Sequence, residues 1–347
     1  MGREGRRVAV HGSHRCCLLV PFTILGAALL MSWRPAKSTV VVYCPGYQIL
    51  FVAIYLYPRL LFNVRVCRRW RKVTQDFTLW RHVDLLPYNL DLCKMWKFLR
   101  SHLSDCLKTL KVRGNVSRKN NWDQSPLSEA LLKELKNRCP SLLYLHLELS
   151  NITKLPSARI LPSSLTHLVL HRNIWPPRWF QGSVASLTHL VHLDLAETTR
   201  VDNHDVRDIV QFTNLLSLKL DGCYRLTEEG LLLIPKHLRS LTSLSLMHCN
   251  TTDLLAHHIA RNLKELRELN LSFSKSLTES CLPIVIDGLL NLEQLFLDGC
   301  SNMSLKAFSV LSNSGTLKSL SIKLEESFSE EEIQPWKKKM ERCYIQI

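Results

Sequence analysis

The chain has 347 residues, of which 46% are hydrophobic, and a formal net charge of +15 at pH 7. This length exceeds that of a single compact domain of typical size. Seven of the twelve cysteines are spread singly through residues 106–347, which argues against a disulfide-bonded secreted protein and for a reducing compartment. Residues 1–72 hold twelve Lys and Arg against one acid, so +11 of the charge lies there. A nucleic-acid-binding face needs positive charge along its length, so we expect no nucleic-acid partner.

The first segment, residues 1–62, is apolar and basic. Two runs in it contain no charged residue, 16–33 and 38–57, and both reach the length that crosses a bilayer. The basic residues before the first run are also typical of a secretory signal, but Pro21 and the absence of a small-x-small cleavage site argue against one. We therefore expect either a membrane anchor in one of these runs or an aberrant first exon without a function of its own.

Residues 64–85 contain a Val-Cys-x-x-Trp motif followed by a Leu-Trp pair. The apolar side chains of this motif recur at helical spacing. The block resembles the second half of an F-box, a small helical module that docks on the adaptor Skp1. The resemblance implies that five residues contribute to Skp1 binding, namely Val66, Cys67, Trp70, Leu79 and Trp80. A second interpretation is that the two tryptophans cap the open end of a repeat array.

From Leu107 onward the pattern Leu-x-x-Leu-x-Leu occurs nine times. After a first step of 35 residues the steps are 23 to 26 residues, within the range of leucine-rich repeats. The last two leucines of each frame stand two residues apart, so both face inward from a strand while the residue between them faces outward. The period predicts a solenoid of stacked turns.

Three frames carry a cysteine three residues after their last leucine, namely Cys223, Cys249 and Cys300. This is similar to the cysteine-containing class of leucine-rich repeat, because a small apolar thiol fits inside a turn. Ser274 and Thr198 replace the cysteine in two other frames. Apolar residues at helical spacing fill the later part of the periods, so we expect a strand and a helix in every turn. The last residues, 343–347, alternate like a strand and are expected to cap the final turn.

The predicted fold class is α/β. We expect a leucine-rich-repeat horseshoe with a parallel concave sheet and outer helices, preceded by a partial F-box helical module. The predicted division is an atypical N-terminal segment at 1–62, a partial F-box and connecting helix at 63–105, and a leucine-rich-repeat domain at 106–347.

The two blocks together resemble the F-box and leucine-rich-repeat protein family from Asn63 to the end of the chain. The connecting stretch at Met95-Trp96 and Cys139-Pro140 is most similar to one numbered member. The resemblance implies the substrate-recognition subunit of an SCF-type (Skp1-cullin-F-box) E3 ubiquitin ligase in the cytoplasm, the nucleus or both. Skp1 and cullin are then partners through the F-box, and a protein substrate binds the repeats.

The chain departs from the family pattern before Asn63. The Leu-Pro start and first helix of an F-box are replaced there, and Tyr57-Pro58-Arg59-Leu60 is a blurred remnant. The alternative function is therefore a leucine-rich-repeat scaffold that binds proteins without ligase coupling, in a soluble or a membrane-anchored form.

The outward positions of the predicted strands form the candidate substrate surface. The candidate residues are Tyr144, His146, His171, Asp194, Lys219, Asp221, Asn270, Phe296 and Asp298. Tyr144 and Phe296 are the anchor candidates, because aromatic residues dominate interface energies. The histidines on this surface predict a pH dependence of binding near neutrality.

Residues with catalytic chemistry form no recognisable pattern. The histidines are scattered, and His257-His258 has no carboxylate or thiol at metal-ligand spacing. The glycines form no phosphate-binding motif. We therefore expect no enzymatic activity, no cofactor and no metal.

Overall fold

A computed structural model describes residues 76–88, 90–114, 127–304, 307–323, 334, 338–340 and 343–346. The uncharged runs at 16–33 and 38–57 lie outside the described residues. So do the predicted Skp1 contacts Val66, Cys67 and Trp70, and the predicted boundary at residue 62.

Eleven parallel strands form a single sheet in the described part of the chain, and each strand pairs with the next in chain order. A parallel pair needs a connection that returns the chain to the same end of the sheet, which is what a solenoid turn provides. The strands are β1 (His82–Asp84), β2 (Thr109–Arg113), β3 (Tyr144–Glu148), β4 (His167–His171), β5 (His192–Asp194), β6 (Ser217–Lys219), β7 (Ser243–Ser245), β8 (Glu268–Asn270), β9 (Gln294–Phe296), β10 (Ser319–Ser321) and β11 (Tyr344–Gln346). The predicted leucine-rich-repeat solenoid is confirmed.

The sheet extends beyond the nine leucine frames at both ends. β1 pairs with β2, so the sheet starts at His82, ahead of residue 106, where the frames place the start of the repeat domain. β11 pairs in parallel with β10 and confirms the predicted terminal strand. Ten strand-to-strand steps give a sheet roughly 48 Å long.

Six α-helices occupy connections between strands in the described residues. They are α1 (Leu92–His102), α2 (Glu129–Arg138), α3 (Asn203–Ile209), α4 (Glu228–His237), α5 (Asp253–Asn262) and α6 (Cys281–Gly288). Side chains at the N-caps start several of them, as where Asp91 accepts a hydrogen bond from the amide of Lys94 and Thr252 from that of Leu255. Short 3₁₀ helices cover Phe77–Trp80, Ala158–Ile160 and Ala307–Asn313.

The prediction of a helix in every turn is wrong. The connection after β3 holds only the 3₁₀ helix Ala158–Ile160, and residues 172–191 after β4 form turns without a helix. Pro176 and Pro177 explain the second case, since each lacks a backbone donor and disfavours helical backbone in the residue before it. Buried aromatic rings fill the space instead, with the ring centroids of Trp179 and Phe180 5.2 Å apart.

The inward leucines form one continuous buried seam. Leu195, Leu220, Leu246 and Leu271, which end successive frames, are almost fully buried. The register places the preceding leucine of each frame beside its equivalent in the next turn. Full burial of a leucine side chain stabilises by roughly 1.5–3 kcal/mol, so the stacked turns stabilise one another.

A column of buried donors runs beside this seam, at the third position after the last leucine of each frame. The donors are Asn173, Thr198, Cys223, Cys249 and Cys300. Each donates to the carbonyl of the last leucine in the preceding turn, as from Cys249 Sγ to Leu220 O at 2.9 Å and from Thr198 Oγ1 to Leu170 O at 2.9 Å. In these five turns the position holds a donor that tolerates burial, whereas buried Ser274 at the same position accepts a hydrogen bond from Thr251 Oγ1. Threonine in place of cysteine keeps the hydrogen bond.

Within the ranges given above, every helix is too short or too polar to cross a bilayer.

Candidate functional site

The predicted F-box residues Leu79 and Trp80 lie at the start of the solenoid. They end the 3₁₀ helix Phe77–Trp80, which Asp76 caps by accepting a hydrogen bond from the amide of Thr78 at 3.0 Å. Trp80 is 7% exposed and meets Phe98 and His102 edge-on, at centroid distances of 5.4 and 4.4 Å. Leu79 is half-buried against the same core. Trp80 thus covers the end of the solenoid, and a direct contact of Leu79 or Trp80 with Skp1 stays a prediction.

The candidate substrate surface is the concave face of the sheet. All nine candidate residues are partly exposed and alternate with buried leucines; seven lie on strands, and Asp221 and Asp298 lie two residues after one. They therefore share one face, as predicted. They do not form a single cluster, because Tyr144 on β3 and Phe296 on β9 stand six strands apart, roughly 29 Å.

Aromatic rings and imidazoles stack across the first half of this face. The register pairs Tyr144 with His167 and His167 with His192. The ring centroids of His167 and His192 are 4.0 Å apart and nearly parallel, and Tyr144 lies 5.8 Å from His167. Burial lowers the pKa of both histidines, so the stacked pair is neutral near pH 7.

A second imidazole pair lies beside the first and is tied to an acid. The rings of His146 and His171 are 5.0 Å apart, and Asp194 Oδ1 lies 2.9 Å from Nε2 of His171. The contact with Asp194 raises the pKa of His171, whereas burial lowers the pKa of His146. Burial alone would raise the pKa of Asp194, but its contacts with His171 and the amide of Ala196 hold it below its usual value. The two histidines therefore titrate in different pH ranges.

Two aspartates in the second half of the concave face have structural roles. Asp221 accepts hydrogen bonds from Ser245 Oγ at 2.5 Å and from the amide of Met247 at 2.9 Å. Asp298 accepts equivalent bonds from Ser321 Oγ at 2.8 Å and from the amide of Lys323 at 2.8 Å. Each carboxylate thus joins its turn to the next and is held in one orientation.

The remaining candidates of this half have fewer contacts. Asn270 accepts a hydrogen bond from the amide of Ser272 at 3.0 Å. Lys219 and Phe296 are partly exposed on β6 and β9. Lys219 also helps to lower the pKa of Asp194 on the neighbouring strand.

Comparison with known proteins gives the family. No protein-family profile matches the chain. F-box/LRR-repeat protein 12 of Homo sapiens is 34% identical over 241 residues, which cover 68% of this chain and 72% of that protein. The chain belongs to the F-box/LRR-repeat family. The proteins of the same name from Mus musculus and Bos taurus are 32% and 33% identical over the same shares, which confirms the member that the connecting stretch indicates.

Solved structures similar to this F-box/LRR-repeat chain include Rad7 in the yeast Rad7 and Elc1 complex. The TM-score is 0.44 at 15% identity, covering 69% of each chain. An internalin C2 from Listeria monocytogenes has a TM-score of 0.36 at 15% identity, covering 64% of this chain and 83% of that one.

One set of residues in this F-box/LRR-repeat chain has a backbone conformation that the sequence pattern did not predict. Seven residues with positive φ share one place, the second position after the last inward leucine, and these are Leu149, Arg172, Glu197, Gly222, His248, Phe273 and Gly299. Their amides donate to a carbonyl of the next turn, as from His248 to Ser272 O at 3.0 Å. Glycine at the same offset in two frames is the signal that would have revealed this conformation.

The chemistry of the described residues was compared with what metal binding or nucleophilic catalysis requires. Among them, no three His, Cys, Asp or Glu side chains are grouped to hold a metal ion. Burial raises the pKa of the Cys249 and Cys281 thiols to about 12, so both are protonated and unreactive near neutrality.

Proposed function

We propose that this F-box/LRR-repeat chain is the substrate-recognition subunit of an SCF-type E3 ubiquitin ligase. In this role the partial F-box around Val66, Cys67 and Trp70 joins Skp1 and cullin, and the concave face holds a protein substrate. The chain itself catalyses nothing. Its contribution is to raise the effective concentration of the target and to orient it toward the charged ubiquitin-conjugating enzyme.

The observation that carries the proposal is the family membership together with the concave face. Relatives named for both modules match over two thirds of the chain. The face presents stacked rings and fixed carboxylates, and aromatic side chains of this kind contribute most at protein interfaces. The proposed compartments are the cytoplasm and the nucleus, where ligase and substrate meet.

The second candidate is a scaffold that binds proteins without ligase coupling. It is favoured by the replaced first half of the F-box, since a module of this size has little stability to spare. A membrane anchor at 16–33 or 38–57 is compatible with either candidate.

Co-purification of Skp1 and cullin with the full-length chain separates the two candidates. We expect both proteins to be recovered with the wild type and recovery to fall at least about tenfold in the double variant Val66→Ala, Trp70→Ala, because buried apolar anchors dominate such interfaces. Leu254→Ala is the matched control, since Leu254 is 50% exposed on the distant α5. If the wild type recovers neither protein, and replacement of residues 1–62 by an intact first F-box half restores both, the scaffold is correct.

Alkaline carbonate extraction of the expressed full-length chain tests the anchor separately. A chain with a membrane-spanning run stays in the pellet. Release of the whole chain into the supernatant excludes both runs as anchors.

A further inference from the structure

Two exposed rings and a partly buried one lie on turns at the edge of the concave face, and we call them the aromatic row: Tyr224, Phe273 and, between them, His248. They lie on the turns after β6, β7 and β8. The rings of His248 and Phe273 are stacked, with centroids 4.3 Å apart and planes 15° apart, and Tyr224 lies 6.5 Å from His248. Tyr224 is 69% and Phe273 42% exposed. The row is therefore an ordered apolar strip open to solvent.

The backbone under the row favours glycine. His248 and Phe273 both have φ of 60°, and the flanking turns place Gly222 and Gly299 at the same position with φ of 69° and 63°. Leu149, Arg172 and Glu197 have the same conformation at this position in other turns, so it belongs to the repeat and requires no particular side chain. Phe273 is 42% exposed at this position. The fold does not need these two rings at this position, which points to a role for their exposed faces.

Gly299 also makes room for the row. A Cβ atom added at Gly299 would lie 2.5 Å from Cδ1 of Phe273, so a side chain there would displace the ring. The Phe273 ring thus lies against the backbone at Gly299, directly after Asp298.

Carboxylates stand at both ends of the row. Asp221 directly precedes Gly222 and Asp298 directly precedes Gly299, and both side chains are held by the hydrogen bonds described above. From β5 to β10, the outward strand positions and the positive-φ turns carry five acids, Asp194, Glu197, Asp221, Glu268 and Asp298, against two lysines, Lys219 and Lys323. Exposed Arg225 and Lys275 lie on the same turns as the rings, so the row offers a cation the two aspartates at its ends rather than a broadly negative surface.

We propose that the aromatic row, with Asp221 and Asp298 at its ends, is a docking site for an arginine-bearing extended segment of a protein partner. Guanidinium groups stack on aromatic faces and pair with carboxylates, so they match both features of the site. β6 and β9 are three strand spacings apart, about 14 Å, and residues i and i+4 of an extended segment are about 13 Å apart on one side. Two arginines at that spacing reach both aspartates while the segment crosses the rings.

The inference deepens the proposed function, because it names the class of substrate segment that the concave face takes. It is tested without Skp1 or cullin. If the peptide does not bind, the interpretation of the co-purification result is unaffected. If Skp1 and cullin do not co-purify, the interpretation of the peptide result is unaffected.

The test measures binding of a fluorescent Gly-Arg-Gly-Ser-Gly-Arg-Gly peptide to the full-length chain by anisotropy. We expect it to bind at least about tenfold more tightly than the same peptide with citrulline, which keeps the shape but loses the charge. A peptide of the same composition with adjacent arginines is expected to bind more weakly. Equal binding of the citrulline peptide, or no binding of any peptide, overturns the proposal.

Phe273→Gly locates the site without threatening the fold, since glycine already serves this position in the flanking turns. We expect it to weaken binding of the arginine peptide at least about tenfold with Tm unchanged or raised. The double variant Asp221→Asn, Asp298→Asn keeps the hydrogen-bond acceptors and removes both charges. We expect it also to weaken binding of the arginine peptide at least about tenfold. Leu254→Ala on α5 is the control that leaves affinity unchanged. Wild-type affinity in Phe273→Gly overturns the proposal.

Discussion

Asp194 Oδ1 lies 2.9 Å from Nε2 of His171 on the neighbouring strand of the concave face. The parallel register that stacks His167 on His192 also places these two side chains side by side. Of the four imidazoles in this cluster, His171 is the one whose pKa is raised, whereas burial lowers the pKa of His146, His167 and His192.

Asp194→Asn is expected to lower the pKa of His171. The folded-state pKa of His171 is raised, so the pair stabilises the fold fully below the unfolded pKa of about 6.5 and less as pH rises through the higher folded value. Because both side chains are partly exposed, the variant loses less than about 1 kcal/mol near pH 6, and the loss shrinks at higher pH. NMR titration of the imidazoles checks this. His192 is the internal control, because burial and His167 set its pKa.

Asp205→Asn is expected to stabilise the protein at neutral pH. Asp205 in α3 is almost fully buried, its Oδ1 has no hydrogen-bond partner in the described structure, and burial raises its pKa to about 6. Above that pH the folded state must hold a buried charge. The amide variant removes this penalty, for a gain of about 1–3 kcal/mol at pH 7.5.

The pH dependence gives the check on Asp205. The native carboxyl binds a proton more tightly than the unfolded one, so the gain from Asp205→Asn shrinks as pH falls below 6 and vanishes near pH 4. Urea unfolding across this range measures it. Asp287→Asn in α6 is the control and gives no gain, because Asp287 is exposed and its charge is solvated. A gain from Asp205→Asn that is independent of pH would contradict the assigned cause.

Cys249→Ser is expected to be tolerated better than Cys249→Ala. The thiol donates to Leu220 O, and Thr198 shows that a hydroxyl serves the same position in another turn. Alanine leaves that buried carbonyl without this donor, at a cost of about 1–3 kcal/mol, while serine keeps it. The free energy of unfolding of both variants in urea decides the matter. Equal destabilisation by the two substitutions would mean that the hydrogen bond contributes nothing.

Trp80→Ala is expected to destabilise the first turn by about 3–5 kcal/mol, because it removes a large side chain packed on Phe98 and His102. Phe77→Ala in the same 3₁₀ helix is the control and changes stability by less than about 0.5 kcal/mol, since Phe77 is 46% exposed. Hydrogen exchange of β1 and α1 locates the loss. If both variants behave alike, Trp80 does not cover the end of the solenoid.

The repeat architecture was predictable because its cause is local. Leu195, Leu220 and Leu246 recur at a nearly constant interval, and a strand with two inward leucines can bury them only against equivalent strands. β1 was not predictable in the same way. His82, Val83 and Asp84 carry no leucine frame and form a strand only through pairing with β2.

The sequence predicted which residues share the concave face, but it did not predict which of them contact one another. Alternation along each strand placed Tyr144 and Asp298 outward, whereas the stacking of His167 on His192 depends on the register between turns. The positive φ of His248 and Phe273 was missed because neither residue favours it, and the hydrogen bond to the next turn imposes it.

The sequence by itself determined the stacked turns, the inward leucines and the buried cysteines, because each follows from spacing along one turn. Only the tertiary structure decided that a pair of prolines and buried rings replaces a helix after β4, that Trp80 covers the first turn, and that Asp194 meets His171. These features join residues of different turns or depend on packing. The energies of these contacts arise only when turns stack at a fixed register, and the sequence of a single turn does not specify that register.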